Sequence, residues 1–233
     1  MILAIDTATR WTGLALHNGD TLLAESGWHS SQNQTIELAP ALQMMLDRHE
    51  VTAADLTAVA VALGPGSYTG LRVGVGLAKG LALANQTPLI GVPTLDIVAA
   101  ALTQHLKPIV RQILPSLIVV AEAGRSRICA GSYQWERGRK GGWKQETEPV
   151  ITNWPDLLAE VDPSTLFAGE ISAEAAKLIR QAAKRFRVFS PAVNPRRAAH
   201  LAEIGWERVR RRQVDDAAEL APIYLRDPAG NPV

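Results

Sequence analysis

Residues 58–84 read AVAVALGPGSYTGLRVGVGLAKGLALA, and the order of features in this stretch decides the fold. Ala58 to Leu63 is wholly apolar and bounded by turn residues, the pattern of a strand buried on both faces. Gly64-Pro65-Gly66 then breaks the chain sharply. From about Thr69 to Ala84 a helix follows, with Arg72 and Lys79 as its only charges. A helix this apolar around its circumference is covered nearly all round. Gly70, Gly74, Gly76 and Gly80 sit on or near one side of it. Each glycine inside a helix costs about 1 kcal/mol relative to alanine, so something gains from the missing side chains. Close approach of another backbone is that gain, either within the same domain or from a second molecule.

Upstream, Ile2 to Ile5 is a short apolar strand ending at Asp6. Trp11 to His17 forms a second strand, Asn18-Gly19 a tight turn, and Thr21 to Trp28 the returning strand. From about Asn33 to His49 apolar residues recur at Ile36, Ala39, Leu42 and Leu46, a helical period that Pro40 should bend. Downstream come a short strand from Pro88 to Gly91 and a helix from Thr94 to His105. Strand-helix-strand crossovers force the later strands parallel to the first.

The second half repeats this order without repeating the sequence. Leu117 to Ala121 is an apolar strand ending at Glu122, and Arg127 to Trp135 alternates as a second. A polar turn over Gly138 to Gly142 and a return over Trp143 to Val150 come next. Then come a helix over Trp154 to Val161, a strand over Thr165 to Ala168, a turn at Gly169 and a helix over Ala173 to Phe186. Arg187 to Phe189 is a short strand, and a basic helix covers Arg196 to Arg212. The expected class is α/β: a duplicated ribonuclease-H-like architecture of the actin and sugar-kinase superfamily, two mixed five-stranded sheets with flanking helices. Its domains are expected at 1–105, joined by the C-terminal segment 213–233, and at 106–212.

Hydrophobic residues make up 47% and charged residues 20% of the 233, which excludes disorder. Cys129 is the single cysteine, so neither an internal disulfide nor a four-cysteine metal site can form. The start, MILAIDTATR, is not a secretory signal, and no apolar run is long enough to cross a membrane. A cytoplasmic protein is expected. Residues 1–100 carry a net charge of −4 and residues 180–212 a net of +8. Such segregation can mark a polyanion partner, or a solvated helix face balancing the acidic half.

Three mechanistic templates fail on the stretch that begins Gly64-Pro65-Gly66-Ser67-Tyr68-Thr69. A phosphate-cradling loop needs Lys and Ser/Thr after its last glycine, and Leu71-Arg72 stand there. A dinucleotide fingerprint needs a small residue where Thr69 lies. A nucleophile elbow around Ser67 needs glycines where Pro65 and Thr69 lie. What remains is a helix start, with bare donors for an anion or simply with Ser67 or Thr69 as its cap. In the expected fold Asp6 and Glu122 close equivalent strands, where an active enzyme holds Mg and phosphate. Here the loop after Asp6 lacks a phosphate-admitting glycine and carries Trp11, and Gly169 is alone where an adenosine turn has two or more. The nucleotide cleft at Asp6, Glu122 and Gly169 is therefore read as degenerate. No two of the five histidines lie within five residues, so no helical metal pair exists.

MILAIDTAT at the start, GPGSYTGLRVGVGLAKGLAL, IGVPTLD and the C-terminal Ala221-Pro222-Ile223-Tyr224-Leu225-Arg226 resemble the TsaB (YeaZ) family of bacterial tRNA threonylcarbamoyladenosine biosynthesis proteins. The likeness is strong over 1–100, looser through the second half, and returns at 219–226. It implies an actin-like fold without activity of its own, no cofactor of its own, and no metal. It implies a paralogous catalytic partner, TsaD, which transfers threonylcarbamoyl to N6 of adenosine 37 in tRNAs reading ANN codons. It also implies the ATPase TsaE as third component, homodimerisation when alone, and tRNA contact only through the complex. ATP, ADP and metal would belong to the partners. The partner surface it implies lies on the helices at 33–49 and 69–84: Ile36, Ala39 and Leu42, then Gly70, Arg72, Val73, Gly74, Leu77, Gly80 and Leu81. The sequence departs from the family at Gln34, where histidine is common, and at Glu122-Ala123-Gly124-Arg125, where the acid is usually Asp followed by Ala-Arg. A small ATP-dependent phosphotransferase of the same superfamily is the alternative function.

Overall fold

The computed structural model describes residues 1–31, 33–106, 115–124, 126–137, 141–194 and 196–225. Contacts divide the described residues into two compact units, one within Met1–Ile97 and Arg196–Ile223, the other within Val98–Pro195 together with Tyr224 and Leu225.

Unit 1 is built on a five-stranded sheet. Its strands are β1 (Ile2–Asp6), β2 (Trp11–His17), β3 (Leu22–His29), β4 (Ala58–Gly64) and β5 (Leu89–Pro93), in the order β3-β2-β1-β4-β5. β1 pairs antiparallel with β2 and parallel with β4. Every residue of β1 and β4 is buried, as their unbroken apolar sequences require of strands covered on both faces. One face carries α1 (Gln34–Arg48) and α2 (Tyr68–Asn85), whose Leu38, Leu42, Met45, Val75 and Ala78 join Leu3, Ile5, Val59 and Val61 in one core. Each large apolar side chain among them contributes about 1.5–3 kcal/mol over leaving it in water. α1 continues through Pro40.

The basic helix does not belong with the second half, as its place in the sequence suggested. α6 (Ala198–Arg210) packs on β1, β2, β4 and β5 of the first sheet. A Cβ on Gly205 would stand 2.8 Å from both Ala60 and Ile2, so the helix lies directly on the strands. The chain then returns along the same unit. Asp215 bridges to Leu89, Lys79 donates to the carbonyls of Ala218 and Leu220, and the Ile223 amide donates to Leu63 O at 2.7 Å.

Unit 2 holds a six-stranded sheet, one strand more than the five expected. Its strands are β6 (Leu117–Glu122), β7 (Ile128–Glu136), β8 (Gly142–Gln145), β9 (Val150–Thr152), β10 (Leu166–Gly169) and β11 (Arg187–Val188). The order is β11-β10-β6-β7-β8, with β9 also on β7. The single return expected over Trp143 to Val150 is two strands on successive parts of β7. They are separated around Pro149, which has no N–H for the ladder. α3 (Thr94–Leu106) begins in unit 1 and passes into unit 2; α4 (Trp154–Glu160) and α5 (Ala173–Ala182) complete the unit. α5 is shorter than its apolar period, because Ala183 turns extended and Phe186 packs into the same core from the turn beyond. The part of the polar turn at 138–140 lies outside the described residues.

Candidate functional site

Asp6 ends β1 with no exposed surface. Its Oδ1 accepts from the Ala8 amide at 2.9 Å and its Oδ2 from Nε of Arg196 at 2.9 Å. Arg196 is itself buried, and its Nη2 also donates to Thr9 Oγ1 at 2.7 Å. A guanidinium thus stands at the carboxylate that ends β1. Both carboxylate oxygens are engaged by protein donors, so these residues do not fit a metal-bound nucleotide at Asp6. Nothing in the sequence pointed to Arg196 as its partner, since the two lie 190 positions apart.

The turn after β4 is closed the same way. The Ser67 amide donates to Ala8 O at 2.6 Å, and Ser67 Oγ caps α2 by accepting from the Gly70 amide. Ser67 is therefore the cap, and two donors that an anion would require are taken. Gly64 has φ +114, with Ile223 O only 2.5 Å from where a Cβ would be. On Gly66 a Cβ would stand 2.0 Å from Ala8 O. Pro65 is buried, whereas Tyr68 and Thr69 are exposed, and the Arg72 guanidinium lies 3.8 Å over the Tyr68 ring.

Two of the four glycines in α2 serve this interior. A Cβ on Gly70 would stand 2.2 Å from Thr7 O, and one on Gly74 2.2 Å from Thr7 Oγ1. That hydroxyl donates to Gly70 O at 2.7 Å. Gly70 and Gly74 were expected at the partner surface; they hold the Asp6–Thr9 loop instead. Leu42, expected there too, is buried in the core of unit 1.

The remaining surface residues stay outward. Gly76 and Gly80 have nothing within 4 Å of where a Cβ would be and are exposed. Arg72 and Ala39 are exposed, and Val73, Leu77 and Leu81 are half-buried against the core. Ile36 on α1 is 72% exposed and Leu83 on α2 62%. Met44 is also exposed, and beside it an open groove runs between α1 and the edge strand β3, lined by Leu23, Trp28, Pro40, Ala41 and Met45. Leu83 and Met44 were not singled out from the sequence. Their signal is spacing: Leu83 follows Gly76 and Gly80 at the helical repeat, and Met44 follows Ile36 and Pro40.

In unit 2, Glu122 is exposed, and its amide donates to Glu170 Oε2 at 2.9 Å. Gly169 has φ +99, with Val120 O 2.1 Å from its Cβ position, and donates to Asn194 Oδ1. Its freedom serves packing against β6. Cys129 is buried and its thiol is pushed up to about 11, by burial first and the Glu170 carboxylate second, which keeps it protonated near neutral pH. No group of three metal-ligating side chains occurs among the described residues. Nor is any described helix long and apolar enough to cross a membrane. Arg125 and Arg226 lie outside the described residues.

Two units, each a mixed sheet flanked by helices, define the actin-like ATPase and sugar-kinase fold class. Solved structures agree: YeaZ from Pseudomonas aeruginosa matches with a TM-score of 0.73 at 22% identity, covering 96% of this chain and 99% of that one. An activator of 2-hydroxyisocaproyl-CoA dehydratase from Clostridium difficile, solved with bound ADPNP, matches at 0.50 and 11% identity over 95% and 98%. In sequence, the tRNA threonylcarbamoyladenosine biosynthesis protein TsaB of Bacillus subtilis is 32% identical over 97% of this chain and 93% of its own length. TsaB of Escherichia coli is 34% identical over 68% and 64%. A family model described as TsaD, tRNA N6-adenosine threonylcarbamoyltransferase, matches residues 29–230. On the Bacillus subtilis relative, the chain belongs to the TsaB family.

Proposed function

We propose that the chain is a non-catalytic subunit of the complex that adds threonylcarbamoyl to N6 of adenosine 37 in tRNAs reading ANN codons. It binds the catalytic homologue, TsaD, through the outward face of α1 and α2, and pairs with a second copy through the same face when alone. The ATPase TsaE is the third component, and ATP and metal belong to the partners. The complex works in the cytoplasm, and tRNA is reached through it.

One observation carries this reading. Gly76 and Gly80 leave a bare helix surface that nothing inside unit 1 requires; Leu83 on the same helix and Ile36 on α1 are mostly in solvent. Glycine at an open helical position costs about 1 kcal/mol, and exposed large apolar side chains grouped on one face mark an interaction site. The Arg196–Asp6 pair supports the non-catalytic half of the reading, because the carboxylate is unavailable to a metal.

The test is reconstitution. The chain, its TsaD and TsaE homologues from the same source, unmodified tRNA and threonylcarbamoyl-adenylate are combined in all subsets. Modification is expected only when the TsaD homologue is present, and at full rate only when this chain is added. Modification by this chain alone would overturn the proposal.

A further inference from the structure

The sequence between Ala175 and Ser190 holds five cations, Lys177, Arg180, Lys184, Arg185 and Arg187, and no acid. All five are exposed, on α5, on the turn after it and on β11. Among the described residues none of them forms an ion pair; Arg187 Nη1 instead donates to the carbonyls of Lys184 and Phe186, at 2.7 and 3.0 Å. Asp162 lies close enough to Arg185 to feel its charge, and Glu174 stands in the first turn of α5, so the cluster is flanked by acids without being neutralised.

The cations that come later in the sequence have a different fate. Arg196 is paired with Asp6, Arg197 with Glu25, Arg208 with Asp215, and Arg210 and Arg211 with Glu207. The pairs made by Arg196, Arg197 and Arg208 hold α6 and the returning chain to unit 1. Of the ten cations in 180–212, five are therefore paired, Arg212 is exposed without an ion pair among the described residues, and Arg180, Lys184, Arg185 and Arg187 form the open group.

We propose that the open group, Lys177–Arg187, is a contact for the phosphate backbone of the RNA substrate. This rests on the reading of the chain as a subunit of a tRNA-modifying complex. Phosphate contact needs exposed cations spaced along a surface and no apolar anchor. A protein partner of ordinary affinity needs a buried apolar or aromatic centre, and Leu178 is the one large apolar side chain exposed on α5.

The experiment measures binding of an unmodified tRNA transcript to the full chain, alone and mixed with its TsaD homologue, over about 50–200 mM salt. Arg180→Ser/Lys184→Ser/Arg185→Ser is compared with Arg210→Ser/Arg211→Ser, which removes only paired cations, and melting curves establish that both are folded. Each phosphate contact contributes about 0.7–0.9 to the log–log salt slope, so the first variant should lower it by about 2 to 3 and weaken all tRNAs alike. The second should change it by less than about 1. An unchanged slope in the first variant, or an equal loss in both, would overturn the proposal. Failure of the wild-type chain to co-elute with the TsaD homologue speaks against the subunit reading instead, and the titration of the chain alone still decides the patch.

Discussion

A methyl group placed on Gly74 would stand 2.2 Å from the Thr7 hydroxyl, whereas one on Gly80 would meet nothing within 4 Å. The two glycines are six positions apart in one helix and answer to different constraints. The inner side of α2 grips the loop that ends β1, and Arg196 holds the Asp6 carboxylate of that loop, so this side sets whether unit 1 folds. The outer side bears on nothing within the unit, so it sets what the unit meets. Composition treats the four glycines alike; only the packing separates them.

The largest effect is expected on the inner side. Arg196→Met removes the partner of a fully buried carboxylate and should cost about 3–5 kcal/mol of stability. Asp6→Asn added to it should restore part of that loss, measured by urea denaturation. If Arg196→Met is as stable as the parent, the pair does not hold the loop, and the comparison of the two sides loses its energetic basis.

Next is Gly74→Leu. A leucine there drives into Thr7 and should cost about 1–3 kcal/mol or more by overpacking. It should lower the melting temperature of the isolated chain. A loss of association with unchanged melting would return Gly74 to the partner surface.

Much of the architecture was legible in the residues, because each element of unit 1 announces itself locally. Ala58–Leu63 is apolar throughout, Gly64-Pro65-Gly66 turns, and Ser67 caps the helix beyond. The rest depends on contacts far apart in sequence. Whether Gly74 faces inward is decided by Thr7, and which sheet α6 covers is decided by Gly205 meeting Ile2 and Ala60. Arg196 looked like one more member of a basic run until the fold placed Asp6 beside it. In unit 2, the period through Ala176, Ile179, Ala183 and Phe186 is kept across the end of α5, so spacing alone could not mark where the helix stops.

On the outer side the expected effects on stability are small and of opposite sign. Gly76→Ala and Gly80→Ala should each stabilise the isolated chain by about 0.5–1 kcal/mol, since alanine restricts the unfolded chain and meets no neighbour. The same changes should weaken association with the TsaD homologue. Stabilisation with association intact would mean that no backbone approaches α2 from outside.

The most direct measurement is co-elution of the chain with its TsaD homologue on size exclusion, for the parent and for Gly80→Glu and Ile36→Glu, each checked by thermal melting. Both substitutions place a charge on the open apolar face. The account predicts loss of the complex, and of the homodimer where one forms, with melting within a few degrees of the parent. Variants that melt normally and still co-elute at the parent's affinity would contradict it, and would move the partner surface off α1 and α2.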